Sequence, residues 1–386
     1  MKSFILLLNF IFFVFTATCF AQTYRQHNKP LPVLDKTKSY PSKKLEFDTQ
    51  VTYVPLETSK DVLLDGPCRL RFVSNEKIIL ADEIRGDVFI FDKSGKILSN
   101  FNQKGGLGYT FITCVAYDEK RNELFILDRI KKKVFVFSEK GTLLRNYNIP
   151  QKTNVQEIYN FDDETLLAFN EDMFGSDQKT KPYFYISKND GKLIGYVNIE
   201  LEKVNPIAYI ENVGKNEDRS YVFTHTGADN CKFGNDFILA NKSMDTIYLL
   251  KQNKTLTPLF AQTPSVYSEH PTAASVGMIT DQFLKICVSD YDILEGVKIM
   301  KAGGNWKPKF RNFILDINTG EFFEDSDYKK YTISKVDTPK NQDYRLMQAL
   351  DLVNSNKKGL LKGELKEVAL KLEIGDNPVL QITKFK

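Results

Sequence analysis

Along residues 77–102, apolar and polar positions alternate at period two in three short runs rich in β-branched and aromatic residues: Lys77 to Ala81, Val88 to Phe91 and Lys96 to Phe101. Such alternation turns one side of each run to a core and the other to solvent, so each run is read as a β-strand. The pattern returns 46 residues later without a gap. Asp82 aligns with Asp128, Ile84 with Ile130, Val88 with Val134, Phe89 with Phe135, Phe91 with Phe137, Gly95 with Gly141 and Leu98 with Leu144; Asn100 and Asn102 bring the identities to nine in 26. Between the last two runs stand "DKSG" and its counterpart "SEKG", polar tetrads ending in a glycine that supplies the positive φ of a tight hairpin. "YDEKRNELFIL" adds another hairpin, so one unit is four antiparallel strands in about 46 residues, the period of a propeller blade.

Weaker copies follow. "LLAFN" (166–170) and "YFYISKNDGKLIGYVNI" (183–199), with Gly191 in its hairpin, form a third blade. Residues 236–260 carry a fourth, and "FLKICVS" with "NFILDINTGEFF" a fifth. A sixth is assembled from both ends: "VTYVPLE" (51–57) pairs with the terminal "NPVLQITKFK" and removes the exposed edges that an open array would leave. The expected fold is therefore all-β, a six-bladed β-propeller with four-stranded antiparallel blades, its ring closed by the N- and C-terminal strands. One helix is inserted near the C-terminus, where Leu360, Leu361, Leu365, Val368, Ala369 and Leu372 fall on one helical face; its stripe is read as packing on a sheet rather than on a membrane.

Lys2 and the apolar run Phe4 to Phe15, broken only by Asn9, read as a secretory leader too short to span a bilayer. Cleavage is expected after Ala21, with lipidation of Cys19 as the rival. The organisation is then a signal peptide at 1–21, an N-terminal tail at 22–45 and a propeller at 46–386, periplasmic or secreted, with no transmembrane segment and a monomeric state. Without Lys2, 52 basic side chains face 49 acidic ones. That balance is too even for a nucleic-acid partner. Cys68, Cys114, Cys231 and Cys287 are read as buried thiols, since Cys68 and Cys114 occupy equivalent positions on neighbouring blades, too far apart to bridge. No CxxC or His/Cys cluster points to a metal, and no cofactor is expected.

Val54-Pro55-Leu56-Glu57-Thr58, Leu127-Asp128, Asp245 to Tyr248, Asn377-Pro378-Val379-Leu380 and Lys384-Phe385-Lys386 together resemble the secreted six-bladed β-propeller family of uncharacterised proteins from gut anaerobes, which is similar to NHL-repeat propellers. The resemblance covers roughly residue 45 to the end and implies no catalytic residue. The family's Gly-rich loop after the first blade usually holds Pro, Glu and Tyr; "KGGLGYTF" keeps Gly105, Gly106, Gly108 and Tyr109 and lacks the Pro and Glu.

If strand A of each blade lines the channel, the D-to-A and B-to-C connections share a first face, and A-to-B and C-to-D share a second. The long connections 171–182, 199–216, 260–274 and 290–309 then fall on the first face, with 226–236 as an exception. Repeat proteins concentrate insertions on the binding face, so the first face is expected to take the partner. Its candidate ligand-binding residues are Arg85 and Arg129, able to clamp a carboxylate; Tyr109 in the glycine loop; His225, placed on an expected strand A "YVFTHT"; His270; and Trp306, an aromatic surface for a sugar or peptide. Asp82 and Asp128 are read as caps of their own turns. The expected function is non-enzymatic binding of a glycan, peptide or protein of the cell envelope, with a metal-dependent lyase or lactone hydrolase working in the channel as the alternative.

Overall fold

A computed structural model describes residues 30–64, 68–213, 219–224, 230–290, 292–302, 304, 306, 307, 309–326 and 339–386. The expected signal segment 1–21 and His225 lie outside them. Blade one consists of Cys68–Val73, Lys77–Asp82, Asp87–Asp92 and Ile97–Asn102; blade two of Cys114–Asp118, Glu123–Asp128, Lys133–Ser138 and Leu143–Asn148. Blade three is Val155–Asn160, Thr165–Asn170, Tyr183–Ser187 and Leu193–Tyr196. Blade four is Cys231–Phe233, Asp236–Leu239, Thr246–Leu250 and Leu256–Thr263; blade five is Thr272–Ile279, Phe283–Asp290, Phe310–Asp316 and Phe322–Asp325. Within each the strands pair antiparallel in sequence order, A to D.

Blade six closes the ring as its sequence suggests. The C-terminal strand Val379–Phe385 lies between Gln342–Met347 and Thr49–Pro55, antiparallel to both. Alternate residues of every blade pack on the next blade, so the core is a set of seams rather than one centre. Among the described residues five seams each hold eleven or more buried apolar side chains. The seam between blades five and six is far thinner, with Leu45, Ile314 and Phe385 buried and Phe47, Phe283 and Phe323 half-buried beside them.

The hairpin glycines do what their positions require. Gly95, Gly141, Gly191 and Gly320 all have positive φ, from +71° to +87°. Gly95 is also a point of close approach, where a Cβ would lie 2.1 Å from the Pro55 carbonyl oxygen. The Glu57 amide donates to the Gly95 carbonyl there at 2.8 Å, which ties the ring-closing strand to blade one.

Several details differ from expectation. The stretch 22–45 holds strand: Val33–Asp35 runs parallel to the outer strand of blade four, and Ser42–Lys43 parallel to that of blade five. The strand Arg219–Thr224, read as strand A of blade four, instead pairs with Ala208–Val213 in a separate hairpin. Strand A is the short Cys231–Phe233, and its turn to Asp236 is only Gly234 and Asn235, so the expected long second-face loop at 226–236 is absent. Three helices are described: α1 (Ile293–Lys301) in the B-to-C connection of blade five, and α2 (Ala349–Lys357) and α3 (Gly363–Ala369) in blade six. The single expected helix at 357–372 is shorter, being α3 alone with Leu360 and Leu361 ahead of it, and α2 is an unexpected second helix that ends where the expected one was to begin; Gly359 and Gly363, both at positive φ, mark the break between the two helices. Their apolar side chains pack on one another and on Tyr53 and Val379, as the sheet-packing reading requires. Their connection, 348–378, is an A-to-B insertion, so the second face carries the longest insertion of the ring.

Candidate functional site

On the first face, the B-to-C turns of blades one and two share one construction, and the longer connection of blade three, 171–182, echoes part of it. Asp82 Oδ1 accepts the amides of Ile84 (2.9 Å) and Arg85 (2.7 Å), and Asp128 Oδ1 those of Ile130 (2.9 Å) and Lys131 (3.0 Å). Asp172 Oδ1 accepts the Phe174 amide at 3.1 Å. Each carboxylate satisfies its own turn and so pushes the residue two positions on outward. Ile84, Ile130 and Phe174 are 60%, 64% and 60% exposed. Leu107, at the tip of the glycine loop between blades one and two, is 88% exposed. Four large apolar side chains thus stand out from three successive blades. Ile84 and Ile130 are identical positions of the repeat, and an apolar residue inside an otherwise polar turn was the signal that could have found them.

Basic groups flank these tips. Arg85 and Arg129 are exposed beside Ile84 and Ile130. The Arg129 guanidinium donates to Gln156 Oε1 at 3.0 Å, which leans it toward blade three. Lys104 Nζ donates to the Ile84 carbonyl and Lys131 Nζ to the Gly108 carbonyl, both at 2.6 Å, pinning the glycine loop to the two turns. Tyr109 is fully buried beneath that loop. Its hydroxyl donates to the Gly86 carbonyl at 2.5 Å and accepts from the Gln103 amide at 3.1 Å, and burial pushes its phenol up to about 12. Tyr109 braces the loop and offers no surface to a ligand.

The remaining candidates lie apart. His270 is exposed in the connection between blades four and five. Trp306 is half-buried against α1, where a Cβ on Gly296 would come within 2.7 Å of its ring, so the indole covers its own helix. That helix packs beside the hairpin Ala208–Val213/Arg219–Thr224, and the two insertions meet on the side of the ring away from the apolar tips.

Among the described residues the channel side chains are polar and mostly paired with one another, while the buried Arg71 Nε has no hydrogen-bond partner. Arg71, held below its ordinary range by burial, pairs with Glu83. Across the channel Glu157 Oε2 accepts from the Tyr159 hydroxyl (2.6 Å) and the Asn230 amide (3.2 Å), and Asn230 Oδ1 accepts from the Tyr183 hydroxyl (2.8 Å). Burial holds the Tyr159 phenol well above its ordinary value. At the second face the A-to-B turns of blades one to four open onto cavities of about 570 and 210 Å3 that share Phe72, Glu119, Lys232 and Asn235. Among the described residues no group of three or more His, Cys, Asp or Glu side chains is placed to hold a metal ion. No helix among them is long and apolar enough to cross a membrane.

A family model described as "Domain of unknown function (DUF4934)" matches residues 31–384. No curated protein matches the chain. Among solved structures, a protein of Bacteroides fragilis NCTC 9343 whose name proposes export is 15% identical with a TM-score of 0.60, over 92% of this chain and 100% of that one. A duf4221 family member from Bacteroides vulgatus is 12% identical with a TM-score of 0.47, over 87% and 96% of the two chains. Virginiamycin B lyase from Staphylococcus aureus is 13% identical with a TM-score of 0.38, over 72% and 74%. The first likeness concerns the fold alone, and the other two carry no argument.

Proposed function

The chain belongs to this family of unknown function, the match spanning the whole ring, and from that premise we propose that it is an exported, non-enzymatic binding protein whose first face takes an acidic, apolar peptide segment of a cell-envelope partner. The observation that carries the reading is the row of Ile84, Ile130, Phe174 and Leu107, exposed from three blades and flanked by Arg85 and Arg129. Exposed apolar side chains grouped on one face and rimmed by charge mark interaction surfaces. Arginine beside large apolar anchors is the usual composition of a binding hot spot. Apolar tips on three successive blades favour an extended ligand over a compact one. The lyase reading lacks comparable support, because Arg71 pairs with Glu83 and Glu157 with Tyr159 in the channel.

Selection from a displayed peptide library tests this. Enriched peptides are expected to alternate acidic and apolar residues, to bind more weakly as salt rises, and to lose about tenfold or more in affinity to the triple variant Ile84→Ser/Ile130→Ser/Phe174→Ser. The three side chains are exposed, so the melting temperature of that variant should be nearly unchanged. Selected peptides that bind the triple variant equally well, or a protein that binds only glycans, would remove the first face from the proposal.

A further inference from the structure

A second place in the molecule calls for a ligand of different chemistry. Where the chain crosses from the outer edge of blade five into blade six, residues 44–47 run over one face of the blade-six sheet and enclose a cavity of about 330 Å3. That volume lies at the lower end of those that hold small ligands. Asp343 and Arg345 of the strand Gln342–Met347 both line it. Two residues apart on a strand, they share a face with Cα atoms about 6.6 Å apart. Asp343 is only 9% exposed, and no side chain among the described residues pairs with it or donates to it. Arg345 is exposed, and among the described residues no carboxylate pairs with it, Asp343 included.

A buried carboxylate whose nearby counter-charge, the Arg345 guanidinium, is not hydrogen-bonded to it is costly, and natural folds rarely keep one without use. Here a buried carboxylate in want of a donor stands beside an exposed guanidinium that can take an anion. Across the same face the Gln381 amide donates to Thr383 Oγ1 at 3.2 Å, leaving the Gln381 carbonyl as a neutral acceptor. Phe47 and Val51 form an apolar wall. We propose that this cavity binds a small zwitterion with the chemistry of a free amino acid or dipeptide, its ammonium on Asp343, its carboxylate on Arg345 and its side chain against Phe47 and Val51. A neutral polyol would supply donors to Asp343 but no charge to either group, and so fits the pair less well. The thin packing of this seam is where such a molecule also adds contacts that the other seams make with their own side chains.

Isothermal titration with glycine, L-alanine and L-alanyl-L-alanine tests the assignment, using N-acetyl-L-alanine and L-alaninamide, which each lack one charge, and glucose as a neutral polyol. At least one zwitterion should bind, and each single-charge analogue should bind at least about tenfold more weakly, the scale of one lost charge-assisted hydrogen bond. Asp343→Asn should erase the preference for L-alanine over its N-acetyl form, and Arg345→Gln the preference over the amide. Asp343→Asn removes a buried charge at constant shape, so loss of fold does not confuse the result, and its melting curve verifies this. No zwitterion binding at about 10 mM, a range that detects even weak ligands, overturns the proposal. So does glucose binding in their place, or equal zwitterion affinity in Asp343→Asn. None of these results bears on the peptide reading of the first face.

Discussion

Burial pushes the Asp343 carboxyl up to about 6, against the opposing pull of the Tyr344 amide and the Arg345 guanidinium, and this fixes the sign of a pH effect. Between the unfolded value near 3.9 and the folded value, the native state holds more protons than the unfolded chain, so stability falls as pH rises through that window. Above pH 6 the loss is complete and is at most about 3 kcal/mol. Besides Arg345, the charged groups lining the cavity are Lys44 and Glu46, which pair with each other at 3.6 Å. Asp343→Asn lacks the titration. Its unfolding free energy should match that of the natural protein near pH 4 and exceed it increasingly toward pH 6, as read by urea unfolding at each pH. A constant difference across the range would show that Asp343 does not titrate in this window. At this scale the sequence was legible where one residue acts on its own turn. Asp82 and Asp128 cap as expected, while the exposure of Ile84 and Ile130 and the isolation of Asp343 depend on neighbours from other blades or strands.

At the scale of elements, the most consequential strands are two that local pattern leaves nearly unmarked. Val33–Asp35 and Ser42–Lys43 add parallel to completed blades, and parallel pairing to a distant edge has no hairpin to announce it. Yet Leu34 is fully buried between blades four and five, Leu45 is buried in the thin seam, and Lys36 Nζ donates to the Thr272 carbonyl at 2.7 Å. Arg311 adds a bond from blade five to the Lys38 carbonyl at 2.7 Å. A protein beginning at residue 46 loses all of these. Deleting Leu34 and Leu45 alone removes two buried side chains worth about 2 to 5 kcal/mol each. The shortened protein is expected to melt several degrees or more lower; an unchanged melting curve would show that the two strands are ornaments. The helical insertion teaches the same lesson. Its apolar stripe was visible, but the break between α2 and α3 needed Gly359 and Gly363 in positive φ, which a periodicity count passes over.

At the scale of the whole molecule the ring depends on its last strand. Val379–Phe385 pairs on both sides, with Gln342–Met347 and with Thr49–Pro55. Asn377, immediately before it, donates from its side chain to the Glu57 and Val62 carbonyls and accepts the Leu64 amide, all within 2.7 to 2.8 Å. Removing residues 377–386 therefore takes away the Asn377 bonds to the segment leading into blade one and bares two strand edges. The truncated protein should aggregate on size-exclusion chromatography and lose a cooperative thermal transition, whereas a monomer with an unchanged melting temperature would refute closure through this strand. The sequence by itself determined the blade, the count of six and the closure, because period-two alternation and turn residues are local signals, stated twice over in the 46-residue repeat of blades one and two and more faintly in the later copies. Only the tertiary structure decided which side chains face outward on the first face, that the tail completes two blades, and that Asp343 and Arg345 stand unpaired over a cavity. Those are relations between segments far apart in the chain, and exposure, pairing and empty space exist only once the seams between blades are formed.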